Sequence, residues 1–364
     1  MLVDGVPYRA IWLDDDGWSV CIIDQTRLPW EWQVVRLTRL SEAAEAISAM
    51  RVRGAPLIGA TAAFGFCLGL SADASDEGLE RGRKELLATR PTAINLRWAL
   101  EAVVDAVTPL APSERVGAAY ARAAEIAEAE VATCRAIGDH GLALIREAAE
   151  AKGEGEPVNV LTHCNAGWLA TVDWGTALAP IYRAHDAGYP VHVWVDETRP
   201  RNQGASLTTW ELGRHGVPHT LVADNAGGHL MQTGQVDMCL VGTDRTTRNG
   251  DVANKIGTYL KALAAADNNV PFYVALPGST IDWATECGSD IPIEERASEE
   301  ITHISGRTEA GDVTRVTLCP DRTPAANPAF DITPAQLVTA LVTDRGVCDP
   351  TADALAGLYP ERVE

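Results

Sequence analysis

Four polar clusters in this chain each follow a short apolar run: Thr162-His163-Cys164-Asn165, Asp196-Glu197-Thr198-Arg199, Asp224-Asn225 and Gly242-Thr243-Asp244-Arg245. Cys164 is followed by Asn165-Ala166-Gly167 and a stretch that reads as a helix. A thiol at a helix N-terminus is biased toward thiolate by the dipole and the free N–H groups, although the same spacing also suits a buried structural cysteine. His163 adjoins it, but consecutive strand residues point to opposite faces, so His163 reads as a packing or hydrogen-bonding group. Asp244 in a partly dry cleft would have a raised pKa and could serve as a general acid or base; capping a helix or pairing with Arg245 is the plainer alternative. Asn254-Lys255, after the turn Asn249-Gly250-Asp251, is expected to open a helix. A lysine beside free N–H groups makes an anion site, the alternative being a solvated surface lysine.

Two arginine motifs add to these. In Met50-Arg51-Val52-Arg53-Gly54-Ala55-Pro56, Gly54 lets the backbone approach a ligand, Arg53 can hold a phosphate through two hydrogen bonds, and Pro56 suits the first turn of a helix. Arg90-Pro91-Thr92-Ala93-Ile94-Asn95 likewise puts an arginine at a helix start. Each motif alone is more often structural than functional.

The elements that must position these residues change rhythm along the chain. Short β-like pieces, Arg9–Leu13 and Ser19–Asp24, flank the turn Asp15-Asp16-Gly17, and helical patterns then dominate to about residue 150. The stretch Pro112–Ala151 is rich in Ala, Glu and Arg, with Gly138 and Gly141 expected to break or bend it. The polar stretch from Lys152 to Pro157 is the expected domain boundary, giving domains 1–152 and 153–364. Beyond it, Val158–Thr162, Val191–Val195, Thr220–Ala223, Met238–Val241 and Phe272–Leu276 are short apolar runs separated by helix-sized segments. This pattern predicts an α/β fold: a Rossmann-like, doubly wound parallel sheet preceded by a smaller, mainly helical domain with a few short strands. Ligands in such sheets bind beyond the carboxyl ends of the strands, where the strand order reverses. The four polar clusters fall at those ends.

Composition removes several classes of function. Thirty Lys+Arg against fifty Asp+Glu give a formal charge of −20, which repels phosphate backbones and anionic lipid, so neither a nucleic-acid nor a membrane partner is expected. The longest uncharged run, Gly54–Ala72, carries Pro56, Gly59, Gly65 and Gly69 and reads as a buried helix rather than a membrane span. Met1–Ala10 contains Asp4 and lacks the apolar core of a signal peptide. The eight cysteines form no C-x-x-C pair and read as reduced, which suits the cytoplasm and gives no structural zinc. There is no G-x-G-x-x-G, no phosphate-binding G-x-x-x-x-G-K-[ST] and no G-x-S-x-G. Dehydrogenase, ordinary NTPase and α/β-hydrolase readings recede.

Taken together, the motifs at 50–56, 90–96, 161–167, Asp196–Pro200 with Gln203-Gly204-Ala205, Val241–Arg245, Asn249–Tyr259 and Ile291–Arg296 resemble the methylthioribose-1-phosphate isomerases, in order from about residue 45 to 300. That family is related to ribose-1,5-bisphosphate isomerases and to noncatalytic subunits of the translation-initiation guanine-nucleotide exchange factor. The resemblance implies an aldose–ketose isomerase acting on a sugar phosphate in methionine salvage, homodimeric and without metal or other cofactor. It implies Cys164 and Asp244 as the catalytic pair and Arg53, Gly54, Ala55, Arg90, Gln203, Asn254 and Lys255 as substrate contacts. Trp168, Asp173-Trp174 and Thr246-Thr247-Arg248 depart from the family pattern near both catalytic positions, which bears on substrate identity rather than on the chemistry.

Overall fold

The computed structural model describes residues 1–91 and 93–362; Thr92 of the second arginine motif and the last two residues of the second expected domain lie outside that set. Two compact units are present, 1–135 with 167–175, and 136–166 with 176–364. The division falls inside a long helix at 135/136, while the polar stretch Lys152–Pro157 is the connection between that helix and the first strand of the second unit.

The first unit opens with a minimal hairpin, β1 (Leu2–Val3) and β2 (Val6–Pro7), then an antiparallel sheet of β3 (Ile11–Leu13), β4 (Val20–Ile23) and β5 (Val34–Leu37). Its helices are α1 (Leu40–Ser48), α2 (Ala55–Ala72), α3 (Asp76–Thr89), α4 (Ile94–Val107) and the first part of α5 (Pro112–Glu150). Helix α2 is apolar all round and every residue from Leu57 to Leu68 is buried, which is the pattern of a helix enclosed by its neighbours. Among the described residues it is the one helix long and apolar enough to cross a membrane, yet 72% of it is buried within the protein. Its glycines allow the enclosure. A Cβ at Gly65 would stand 2.6 Å from Ala43 Cβ of α1, and one at Gly59 2.9 Å from the Asn95 carbonyl of α4.

The second unit has strands β6 (Val158–Thr162), β7 (Val191–Asp196), β8 (His219–Val222), β9 (Met238–Val241), β10 (Arg245–Thr247), β11 (Val252–Lys255), β12 (Phe272–Ala275) and β13 (Ile281–Asp282). It continues with β14 (His303–Arg307), β15 (Val313–Thr317), β16 (Phe330–Thr333), β17 (Ala340–Thr343) and β18 (Gly346–Cys348). The helices are α6 (Leu178–Asp186), α7 (Thr209–His215), α8 (Ala226–Gln232), α9 (Thr258–Asp267), the single turn α10 (Glu299–Thr302) and α11 (Ala352–Leu358). The main sheet runs β18-β17-β12-β9-β6-β7-β8, parallel except for the edge strand β18.

Strand β6 therefore pairs with β7 on one side and β9 on the other, and the winding reverses between β6 and β9. This is the switch point at which doubly wound sheets bind ligands. The fold is the Rossmann-like sheet that the alternation of apolar runs predicts, and β6 and β9 coincide with the runs from which they were expected. A second sheet, β13-β10-β11-β16, grows from the carboxyl end of β9.

The break expected at Gly138 and Gly141 does not occur. Helix α5 passes through Gly138 and Gly141 without a break. A Cβ at Gly141 would lie 2.3 Å from Pro180 Cγ and one at Gly138 3.1 Å from Ala179 Cβ. The glycines make room for α6; helix packing, not helix breaking, explains them.

Candidate active site

Cys164 lies just past β6, but no α-helix begins there. The chain makes a single 3-10 turn at Trp168–Ala170, and α6 starts only at Leu178, so the helix-dipole argument for its thiol does not apply. The residue instead adopts a left-handed backbone, φ +69°, which costs a non-glycine residue roughly 1–3 kcal/mol and persists only where its surroundings enforce it. Two threonines do so. The Cys164 N–H donates to Thr198 Oγ1 at 2.8 Å, and Thr208 Oγ1 donates to the Cys164 carbonyl at 2.7 Å.

Thr208 closes a π turn, Gly204–Thr208, that leads into α7. Only glycine fits at its start, since a Cβ on Gly204 would fall 1.7 Å from the Asp196 carbonyl oxygen. Gln203, immediately before the turn, is buried and its Oε1 has no hydrogen-bond partner among the described residues. Asn165 Nδ2 donates to Thr208 Oγ1 at 3.1 Å and also to the Glu211 carboxylate, which is wholly buried.

Of the two roles expected for His163, packing or hydrogen bonding, it takes the second, just past the end of β6. Its Nδ1 meets Asp196 Oδ2 at 2.9 Å and its Nε2 the Ile256 carbonyl at 2.8 Å. Lys261 Nζ stands 3.1 Å from the same Asp196 oxygen and donates to the Asp224 carbonyl. The Asp224 carboxylate accepts the N–H groups of Thr198 and Arg199, both at 2.7 Å. The ligand atoms of His163, Asp196 and Asp224 lie within 4.8 Å of one another, a grouping able to hold a metal. The cation in it here is the Lys261 ammonium. The set braces the carboxyl ends of β6, β7 and β8 against α9.

Asp244 follows β9 across Gly242-Thr243. Its N–H donates to the Ala253 carbonyl at 3.0 Å, and Thr243 Oγ1 donates to the same oxygen at 2.9 Å. The residue is exposed, unlike the partly dry setting expected for it. Asn254 and Lys255 end strand β11 rather than opening a helix, and α9 begins at Thr258. The local sequence misleads because β11 is held by distant pairing, Asn254 opposite Asp331 and Lys255 opposite Phe330 on β16.

Asn254 Nδ2 donates to Thr258 Oγ1 at 3.0 Å. Lys255 is only 4% exposed, and among the described residues no hydrogen bond or ion pair takes up its ammonium. Burial lowers its pKa; Cys164 and Asp244 oppose that shift, while the Arg296 guanidinium adds to it. The ammonium thus feels both catalytic candidates.

The remaining candidates belong to the first unit. Gly54 caps α2 with φ +94°, and a Cβ there would lie 2.3 Å from the Ala170 carbonyl oxygen. Ala55 opens α2, and Arg53 precedes it, half-buried. Arg90, also half-buried, ends α3 three residues before Ala93 caps α4. The contact between Gly59 and Asn95 sets the starts of α2 and α4 side by side. Two helix N-termini with an arginine beside each favour an anion.

Within the same unit the segment Gly167–Gly175 is pinned at several points. Gln25 Nε2 donates to the Leu169 carbonyl at 2.6 Å, the Ala10 N–H to the Val172 carbonyl at 2.9 Å, and the Val172 N–H to Glu130 Oε2 at 2.9 Å. Glu130 also accepts from the Cys134 thiol at 2.8 Å, and complete burial raises its carboxyl to about 7. Of the two departing tryptophans here, Trp168 is fully buried and Trp174 half-buried.

Comparison with known proteins identifies the family. Residues 51–350 match the Initiation factor 2 subunit family. The methylthioribose-1-phosphate isomerase of Paramagnetospirillum magneticum is 65% identical over 363 residues, covering 100% of both chains. The chain belongs to the methylthioribose-1-phosphate isomerase branch of that family. The isomerase of Rhodospirillum rubrum is 63% identical, over 100% of this chain and 94% of its own. Among solved structures, 5-methylthioribose 1-phosphate isomerase from Pyrococcus horikoshii is 40% identical with a TM-score of 0.84, covering 98% of this chain and 96% of that one. A chain from A. fulgidus described as translation initiation factor eIF-2B subunit delta is 38% identical, TM-score 0.81, over 97% of this chain and 100% of that one.

Four residues of the site escaped the reading of the sequence: Thr198, Thr208, Glu211 and Lys261. Thr198 lay within a strand-end cluster already singled out, whereas nothing local marks a π turn or a buried lysine.

Proposed function

We propose that this protein converts S-methyl-5-thioribose 1-phosphate to the corresponding ribulose 1-phosphate, with Cys164 and Asp244 as the reacting groups. The observation that carries the reading is Lys255, a buried ammonium that no described residue takes up in a hydrogen bond or ion pair and that feels both Cys164 and Asp244. A buried cation is costly unless an anion joins it, and a substrate phosphate is such an anion. Arg53, Gly54, Ala55, Arg90, Gln203 and Asn254 are the further substrate contacts in this proposal, and the unpartnered Gln203 Oε1 suits a sugar hydroxyl.

Phosphate on the anomeric oxygen locks the sugar ring, so the ring oxygen must be protonated as it leaves carbon 1. Asp244 supplies that proton. Cys164 then removes the proton on carbon 2, giving an enol phosphate, and returns a proton to carbon 1 as the carbon 2 hydroxyl becomes the ketone and yields its proton to the Asp244 carboxylate, which restores the acid. The alternative is direct hydride transfer from carbon 2 to carbon 1, with the same ring opening. Substrate deuterated at carbon 2 separates the two, since washout of label into water requires the proton route.

The test of substrate is turnover on methylthioribose 1-phosphate, ribose 1,5-bisphosphate and 5-deoxyribose 1-phosphate. Preference for the first, with the deoxy compound within about two hundredfold, supports the proposal, because one apolar group discriminates by only about 1–3 kcal/mol. Preference for the bisphosphate overturns it. Turnover of none would favour a noncatalytic role, the reading that the likeness to the A. fulgidus chain brings in.

The proposal includes a cytoplasmic homodimer without nucleic-acid or membrane partners. The charge of −20 supports the last point. Tyr259, Leu260 and Leu263 form an exposed apolar stripe on α9 that supports the dimer, and Leu260→Glu with Leu263→Glu is expected to give a monomer by light scattering.

A further inference from the structure

We propose that Thr208, seconded by Thr198, is a positioning residue that fixes the direction of the Cys164 thiol; the proposal rests on the reading of Cys164 as a reacting group. The backbone on both sides of Cys164 is pinned by these hydroxyls, through the N–H to Thr198 and the carbonyl from Thr208. A cysteine at φ +69° is not at rest there. Released from either bond, the backbone relaxes toward negative φ and swings the Cα–Cβ bond, and with it the sulfur, in a new direction.

Both hydroxyls are fully buried and both are used twice. Thr198 Oγ1 accepts from Cys164 and donates to the Asp196 carbonyl at 3.0 Å. Thr208 Oγ1 donates to Cys164 and accepts from Asn165 Nδ2, whose amide is itself oriented by the buried Glu211 carboxylate. Neither threonine can rotate to another partner without breaking its bond to Cys164, so the network has one arrangement. The π turn gives this network its reach. An inserted residue in a helix changes where the following side chains fall around it. Here it lies between Gln203 and Thr208, so that one rigid element carries both a proposed substrate contact and the grip on Cys164. Displacement of a reacting atom by about 1 Å can cost about 10²-fold in rate. That is the scale on which this grip acts.

Thr208→Val is nearly isosteric and removes the hydroxyl; Thr208→Ser keeps it. Steady-state kinetics on methylthioribose 1-phosphate should show Thr208→Val lowering kcat by about 10²-fold with KM within about threefold of the parent, and Thr208→Ser restoring kcat to within about threefold. The pH profile of Cys164 alkylation by iodoacetamide, resolved by peptide mass, should shift in Thr208→Val and not in Thr208→Ser. If Thr208→Val does not fold, Thr198→Val with Thr198→Ser is read by the same criteria. Parent-like kcat in the folded valine variant, or failure of serine to rescue it, overturns the proposal. Cys164→Ser is measured in parallel: retained turnover there sinks the reading of Cys164 itself, whereas loss there with a fully active Thr208→Val sinks the positioning role alone.

Discussion

Replacing Glu130 by glutamine should flatten part of the protein's stability profile between pH 5 and 8. Glu130 is wholly buried on α5, and burial lifts its carboxyl from an ordinary value near 4.5 to about 7. The sign follows from proton binding. Between these two values the folded chain keeps a proton on Glu130 that the unfolded chain has lost, so stability falls as pH rises, and above about 7 the loss is complete. The difference corresponds to about 3 kcal/mol. Cys134, its hydrogen-bond partner, is pushed well above its ordinary value by the same burial and does not titrate in this window. Glutamine keeps an acceptor for the Val172 N–H and carries no charge at any pH. Urea unfolding of parent and Glu130→Gln, followed by tryptophan fluorescence at half-unit steps of pH, measures the difference curve. The variant should gain about 2.5 kcal/mol on the parent between pH 5 and 8, whatever its absolute stability. Parallel curves would refute the reasoning, since Glu130 would then titrate alike in both states.

Cys164→Ser and Asp244→Asn should each lower kcat by about 10²–10⁴-fold, with the double variant little worse than the worse single one; additive losses in kcat would show that the two do not act in one step. Lys255→Met should raise thermal stability, because it removes a buried charge that no described residue takes up in an ion pair, while raising KM for the sugar phosphate at least about tenfold; a fall in Tm would mean that the ammonium is satisfied within the protein. Gly54→Ala should destabilise by about 2 kcal/mol or more in denaturant titration, since both its positive φ and the 2.3 Å approach to the Ala170 carbonyl exclude a Cβ; a change under about 0.5 kcal/mol would contradict that geometry.

Much of this protein is written locally. Val158–Thr162 and Met238–Val241 are uninterrupted or nearly uninterrupted apolar runs because both faces of a parallel strand are covered, and they became β6 and β9 with no shift of boundary. The polar clusters after them mark strand ends, which is why Cys164 and Asp244 could be placed at the carboxyl ends of strands from sequence, whereas the strand order that makes this the switch point comes from the sheet. His163 could be read as a packing or hydrogen-bonding residue, and the structure selects the second through Asp196 and the Ile256 carbonyl. What failed was each case in which a distant partner decided the outcome. Asn254-Lys255 looks like a helix start until β16 pairs with it, and Gly138 and Gly141 look like breaks until α6 packs against them. Cys164 takes a left-handed backbone because Thr198 and Thr208 hold it there, and no propensity of the sequence around 164 encodes that. The burial that lowers the Lys255 pKa and raises Glu130 to about 7 is likewise a property of the packed chain. Periodicity and turn chemistry act over a few neighbouring residues, so sequence determines the elements and their ends. Pairing, desolvation and enforced backbone strain act between residues far apart in the chain, and only the tertiary structure decides them.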